Sequence, residues 1–308
     1  MRTLPPSDAR PIPIRLNLVL AAGFLALQGG WLFCGEPWLA IPMLLITPAY
    51  WALAHEAIHG VLVPGWAWNK RLGRLMAIAH GAPFGVLRLA HLLHHRYSRT
   101  LDASETYDPA TTRPWVAQCR HYATILGGLY GGEVLAGLLA WLPAGPRGRL
   151  LHFAVGDNDL ARRLADHYRR PAERRETAID AALALALYGA AFLAWGEAWP
   201  WFLASLWARA ALISFFDNAY HYGSPLGGDL ADVRNHRLPA WLAPAVLNFN
   251  WHGVHHQAPS LPWVWLPAQA EATGARASAG YFGGALRQLA GAIPLGDARL
   301  QRRQASAD

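Results

Sequence analysis

Cysteine is scarce in this 308-residue chain: Cys34 and Cys119 could close at most one bridge, which excludes a disulfide scaffold. Charge is scarce too, at 15% Asp, Glu, Lys and Arg against the roughly 25% usual for a globular protein. With 53% apolar residues, this excludes a disordered or fibrous chain and argues against an ordinary water-soluble enzyme. Acids are outnumbered, 20 against 27 basic residues, which leaves a net charge of +7. Such a balance suits nucleic acid, anionic lipid or an acidic carrier, and the positions of the charges decide among them.

Apolar runs are plentiful. Residues 16–35 contain no Asp, Glu, Lys or Arg, and neither do residues 37–55, with only Glu36 between them. About 20 apolar residues span the hydrocarbon of a bilayer, so two transmembrane helices in a hairpin are expected. The basic start resembles a signal-peptide flank, but a second apolar run follows the first at once, and cleavage is not expected. A second hairpin is expected at 179–195 and 199–216, around Gly196-Glu197-Ala198. Pro37-Trp38 and Pro200-Trp201 open the two descending helices alike, with proline in a first turn and tryptophan at an interface. Asp180 and Arg209 interrupt the second pair, and Arg209 is expected to snorkel or find a partner.

The two short turns hold no basic residue. Apart from Arg209, every Lys and Arg lies in the N-terminal tail, in 56–177 or after Phe216. The positive-inside rule then puts both termini and the long middle segment in the cytoplasm. The charge is a topology signal, and a nucleic-acid partner loses its support. Within the middle, 75–87 is too short to span. Residues 122–142 hold Glu133 and five glycines and read as an interfacial or re-entrant helix. Residues 157–176 read as a charged, solvated helix.

Nine of the 14 histidines fall into four groups: His55 and His59; His91, His94 and His95; His221; and His252, His255 and His256. Spacings of three and four put imidazoles on one helix face. From Pro37 to His55 a helix rises about 27 Å, and from Pro200 to His221 about 32 Å. Both helices therefore deliver histidine at the cytoplasmic edge of the hydrocarbon, where the other two groups can converge. His80, His121, His152, His167 and His236 lie outside the groups and read as packing or surface residues. Imidazole suits several transition metals. A single tetrahedral zinc uses three or four protein ligands, whereas eight or nine suit two ions with positions left open.

The segments HEAIHG, HLLHHRYSRT and NWHGVHHQAPSLPWVWLP resemble the three histidine boxes of the membrane fatty acid desaturase family, over roughly residues 15–270. The resemblance implies an all-α integral membrane protein with four transmembrane helices in two hairpins. A cytoplasmic cap (56–177 and 217–270) would carry the boxes, ahead of a tail at 271–308. It implies two iron ions held by the nine histidines, O2 as co-substrate, and removal of hydrogen from an unactivated carbon. The substrate would be an acyl chain on lipid, CoA or acyl carrier protein, in contact with membrane lipid. Asp217-Asn218-Ala219-Tyr220-His221 resembles the family's further ligand segment, with Asp217 standing where asparagine is common.

Glu56, Asp217, Asn218 and Asn248 are candidates to orient the imidazoles, with Asp102, Glu105 and Asp108 further acids in reach of the boxes. The substrate tunnel is expected to be apolar, between the helices. No haem-binding segment is evident, so a separate electron donor such as a ferredoxin is expected, and Arg162, Arg163, Arg169 and Arg170 offer it a basic surface. The same boxes would serve a hydroxylase, carotenoid ketolase or acetylenase. His55-Glu56-Ala57-Ile58-His59 alone also satisfies the H-E-x-x-H pattern of an intramembrane zinc protease, but that reading leaves six clustered histidines without a role. A histidine-rich metal transporter would want polar residues along its spans.

Overall fold

The computed structural model describes residues 10–101, 104–156, 158–227, 233–297 and 300; Asp102 lies outside them. Helix α1 (Ile14–Phe33) turns through Gly35 into a short 3-10 turn and α2 (Ala40–His59). These two match the expected first hairpin, with α2 running one turn further than expected, so that it carries both His55 and His59. Gly60, at φ 80°, takes the left-handed position that ends α2. Pro48 lies inside α2, where it cannot donate to the preceding turn.

Helices α3 (Trp66–His80) and α4 (Phe84–Tyr97) meet at 96°. The bend follows from Gly81, Ala82 and Pro83, because Pro83 cannot continue a helix. Helix α5 (Pro114–Ala123), a wide turn at Thr124–Gly128, α6 (Leu129–Ala136) and a 3-10 turn at Gly137–Trp141 form one apolar but broken rod. Leu126 and Gly127 leave helical geometry at its kink. Helices α7 (Ala144–Val155) and α8 (Asp159–Arg169) precede α9 (Pro171–Ala194) and α10 (Trp199–Ala219). The charged stretch expected as one solvated helix is split. Arg170 is extended and Pro171 starts a new helix, whose charged first turns continue into the third expected span.

Four helical segments are long and apolar enough to cross a membrane: Ile14–Phe33, Pro37–His59, Pro114–Trp141 and Pro171–Ala194. Three are the expected spans. The fourth expected one, now α10, is 21 residues long but is diluted by Arg209 and its opening Trp-Pro-Trp. In its place Pro114–Trp141 passes by length and composition.

Arg209 does not snorkel. It is 1% exposed, meets the His80 ring and the Tyr188 hydroxyl, and lies over the rings of Trp31 and Tyr50. Asp180, also buried, is held by Arg74 of α3. Both charges are thus bound inside the bundle, and His80 is a packing partner as expected.

Short helices α11 (His252–Gln257), α12 (Leu266–Thr273) and α13 (Tyr281–Leu286) close the chain over the α2–α10 end of the bundle. Two parallel pairs of two-residue strands, Thr106–Tyr107 with Ile293–Pro294 and His236–Arg237 with Ala279–Gly280, tie the C-terminal segment back to the body. Buried Gln288 donates to the Phe215 carbonyl and accepts from Asn218, so the described part of the tail is packed structure. Cys34 and Cys119 are free and exposed.

Candidate metal centre

Four segments bring the nine histidines together in two groups. His55, His59, His91, His95 and His255 form one; His94, His221, His252 and His256 form the other. Within each, one ring nitrogen per residue lies within 4.8 Å of all the rest. Helix geometry explains the sorting. On α4, His91 and His95 are one turn apart and share a face, whereas His94 is rotated away to the second group. On α11, His252 and His256 form the one-turn pair and His255 crosses to the first. His95 and His256 stack at 4.1 Å between centroids, joining the two groups. His80, His121, His152, His167 and His236 belong to neither.

The local supports are specific. Asn69, fully buried, donates to the Ala57 carbonyl at 2.7 Å and accepts the Leu62 N–H at 3.1 Å, which fixes the end of α2. Asn17 of α1 donates to the Leu62 carbonyl and accepts the Trp263 indole N–H. Arg99, just after α4, forms a buried ion pair with Glu105 and donates to the carbonyls of Ser224 and Pro225. Glu105 accepts the Gly223 N–H at 2.7 Å. Together Arg99 and Glu105 tie the loop after His221 to the helix that carries His94. Gly253 is required by close approach, since a Cβ there would stand 2.3 Å from the Val233 carbonyl oxygen.

In each group, four Nε2 atoms form a string of contacts. His55, His91, His95 and His255 follow one another at 2.8, 2.9 and 3.1 Å. His94, His221, His252 and His256 do so at 2.9, 3.1 and 3.0 Å. A neutral imidazole presents either one N–H or one lone pair at Nε2. In a string of four, the alternating proton patterns that give each contact a donor and an acceptor ask one N–H to serve two contacts. Protons alone therefore leave each string unsatisfied. A cation at the point of convergence satisfies all the lone pairs at once. Metal–nitrogen bonds of about 2.1 Å put adjacent ligands of one ion about 3 Å apart, as seen here.

Burial and the neighbouring imidazoles hold His252, His255 and His256 well below the ordinary histidine range, so all three are neutral ligands near pH 7.

The expected orienting residues bond elsewhere. Glu56 accepts the Trp263 backbone N–H at 3.1 Å; Asn218 donates to Gln288; Asn248 donates to the Trp263 carbonyl. Each holds a neighbouring segment in place. Asp217 lies beside the Trp51 indole. Asp108 caps its own turn at Ala110. The Nδ1 atoms of His221, His252 and His256 are buried without a partner. Arg162 and Arg163 pair with Asp159, Arg169 with Asp166 and Arg170 with Glu173, so the basic surface is largely neutralised within its own helices.

Next to the histidines lies a slot of about 350 Å³, partly open to the outside, between Pro48 and Trp51 of α2 and Ile213 and Phe216 of α10. Phe249 belongs to both places: it lines the slot and sets its ring against His55 at 5.0 Å and His252 at 4.6 Å. An apolar tunnel between these two helices was expected. Phe249 was not legible, because it precedes its box and matches no pattern. Arg99 lies inside HLLHHRYSRT, where its spacing from the histidines carried no chemical signal.

Among known proteins, the family model for fatty acid desaturases matches residues 29–285. No curated protein and no solved structure matches the chain.

Proposed function

The chain belongs to the fatty acid desaturase family, an oxidoreductase family of desaturase and hydroxylase type that depends on a di-iron centre, and from that premise we propose that it introduces a double bond into an acyl chain. The observation that carries this reading is the sorting of nine neutral imidazoles into groups of five and four beside an apolar slot. We assign one iron to each group, with the nine histidines as ligands.

With two irons bound, the centre supplies activation of dioxygen by electrons from a separate donor and removal of hydrogen from an unactivated carbon. The chain's own residues do the rest. Uncharged ligands leave the ions' positive charge uncancelled, unlike the carboxylate-rich sites of soluble di-iron bundles. Trp51, Ile213 and Phe216 hold a hydrocarbon in the slot and keep water out. Phe249 sets the depth to which it approaches the histidines. Arg99 and Glu105 fix His221 against α4.

The protein is an integral membrane protein. The distribution of basic residues supports a cytoplasmic position for both termini and the centre. A zinc protease built on Glu56 is disfavoured: that carboxyl is buried and taken by the Trp263 N–H, and each group contains more histidines than H-E-x-x-H supplies. A hydroxylase, ketolase or acetylenase would use the same residues, so the product decides. Expression in a lipid-producing host, with mass spectrometry of its lipids, tests the reading. Loss of two hydrogens from a chain, abolished by His94→Ala, supports desaturation; gain of one oxygen supports hydroxylation. No histidine-dependent product refutes both.

A further inference from the structure

We propose that the slot selects an apolar molecule bearing a hydroxyl group, and that Asp217 is the residue that recognises it; this rests on the slot being the substrate's site. Most of the wall is hydrocarbon or aromatic ring, but one edge differs. Asp217, Tyr220 and Tyr281 also line the slot, and the two tyrosines hydrogen-bond to each other. That pattern, an apolar cleft with a few convergent polar groups, fixes the orientation of a ligand.

Asp217 is the unsatisfied member. Its Oδ1 is shielded from solvent and has no hydrogen-bond partner. The neighbours acting on its carboxyl are the Trp51 indole, Tyr220, Tyr281 and a second acid, Glu133 of α6; none is a cation. No histidine of the centre is among them. A buried acceptor left open costs about 1–3 kcal/mol, and an apolar slot gives a water few further partners. A ligand hydroxyl satisfies the site in either protonation state. It donates to a carboxylate, and it accepts from a neutral acid. Asp217 precedes His221 by four residues, one helical turn or about 6 Å. The hydroxyl therefore sits a few bonds from the carbon presented to the centre, and oxidation falls at a fixed distance from it.

The test needs neither metal nor turnover. Purified full-length protein in detergent is incubated with tetradecanol or tetradecane at equal concentration. Ligand co-eluting on gel filtration is then quantified by gas chromatography and mass spectrometry. The wild type retains the alcohol over the alkane by about tenfold or more. Asp217→Leu loses that preference while still retaining alkane, and Asp217→Asn, whose amide oxygen still accepts, keeps most of it. Equal retention by the wild type overturns the proposal, as does an unchanged preference in Asp217→Leu. Tetradecylamine retained above the alcohol overturns it as well and assigns the slot to a cation. Should Asp217→Leu fail to fold, the wild-type comparison and Asp217→Asn still decide. A clear preference for alcohol in a protein that oxidises nothing supports the slot assignment while refuting the desaturase reading, so the two failures are distinguishable.

Discussion

The group of five histidines and the group of four draw on the same two helices, α4 and α11, in opposite shares. The first takes the one-turn pair of α4 and a single residue of α11; the second takes the one-turn pair of α11 and a single residue of α4. What differs is the remaining support. His55 and His59 stand on a long buried helix fixed by Asn69 and Asn17, whereas His221 stands in the turn after α10 and is held by the Arg99–Glu105 pair. The larger group thus has a ligand to spare and a rigid base. The smaller has none to spare and rests on one ion pair.

The largest effect is expected in the group of four. His252→Ala leaves three histidines there, and bound iron should fall from two to one per chain, with turnover lowered by at least about 100-fold. His59→Ala leaves four in the other group and should keep both irons at a smaller loss of turnover. Equal iron loss in the two variants would break the comparison. Glu105→Ala comes next. It strands a buried guanidinium, at a cost of about 3–5 kcal/mol in unfolding free energy; iron should leave the group of four first, and Glu105→Gln should do less harm. Asn69→Ala, which exposes no charge, should cost about 1–3 kcal/mol with both irons retained.

The smallest effect concerns acid. His236 stacks on Tyr220 beside the group of four, and burial with Arg234 and Arg287 nearby pushes its pKa down to about 4. The unfolded chain binds that proton near pH 6.5, so the neutral ring's contribution is complete above about 6.5 and is lost as pH falls toward 4. Between pH 7 and 5 the loss should be roughly 1–2 kcal/mol, seen as a lower denaturation midpoint. His236→Phe should remove that part of the pH dependence.

Much of this architecture is legible in the sequence, because two periodicities carry it. Runs of 20 uncharged residues mark α1 and most of α2, and spacings of three and four mark the boxes. The division of each box between two groups also follows from helix geometry, since His94 and His255 are the residues out of phase with their pairs. The rest depends on contacts distant in sequence. Arg209 violates the pattern of a span until His80, Tyr188 and two aromatic rings are folded around it. Asp180 does so until Arg74 arrives from α3. Glu56 looks like a partner for its neighbouring histidines, yet the Trp263 N–H, more than 200 residues away, takes it. Pro114–Trp141 is apolar enough to cross a membrane but broken at Gly127, so its hydropathy and its backbone point in different directions.

The most direct measurement of the central claim is Mössbauer spectroscopy of purified protein enriched in the absorbing iron isotope. Five imidazoles at one ion and four at the other predict two iron sites of equal population and different quadrupole splitting. A single iron environment, or one zinc per chain with no iron, would contradict it.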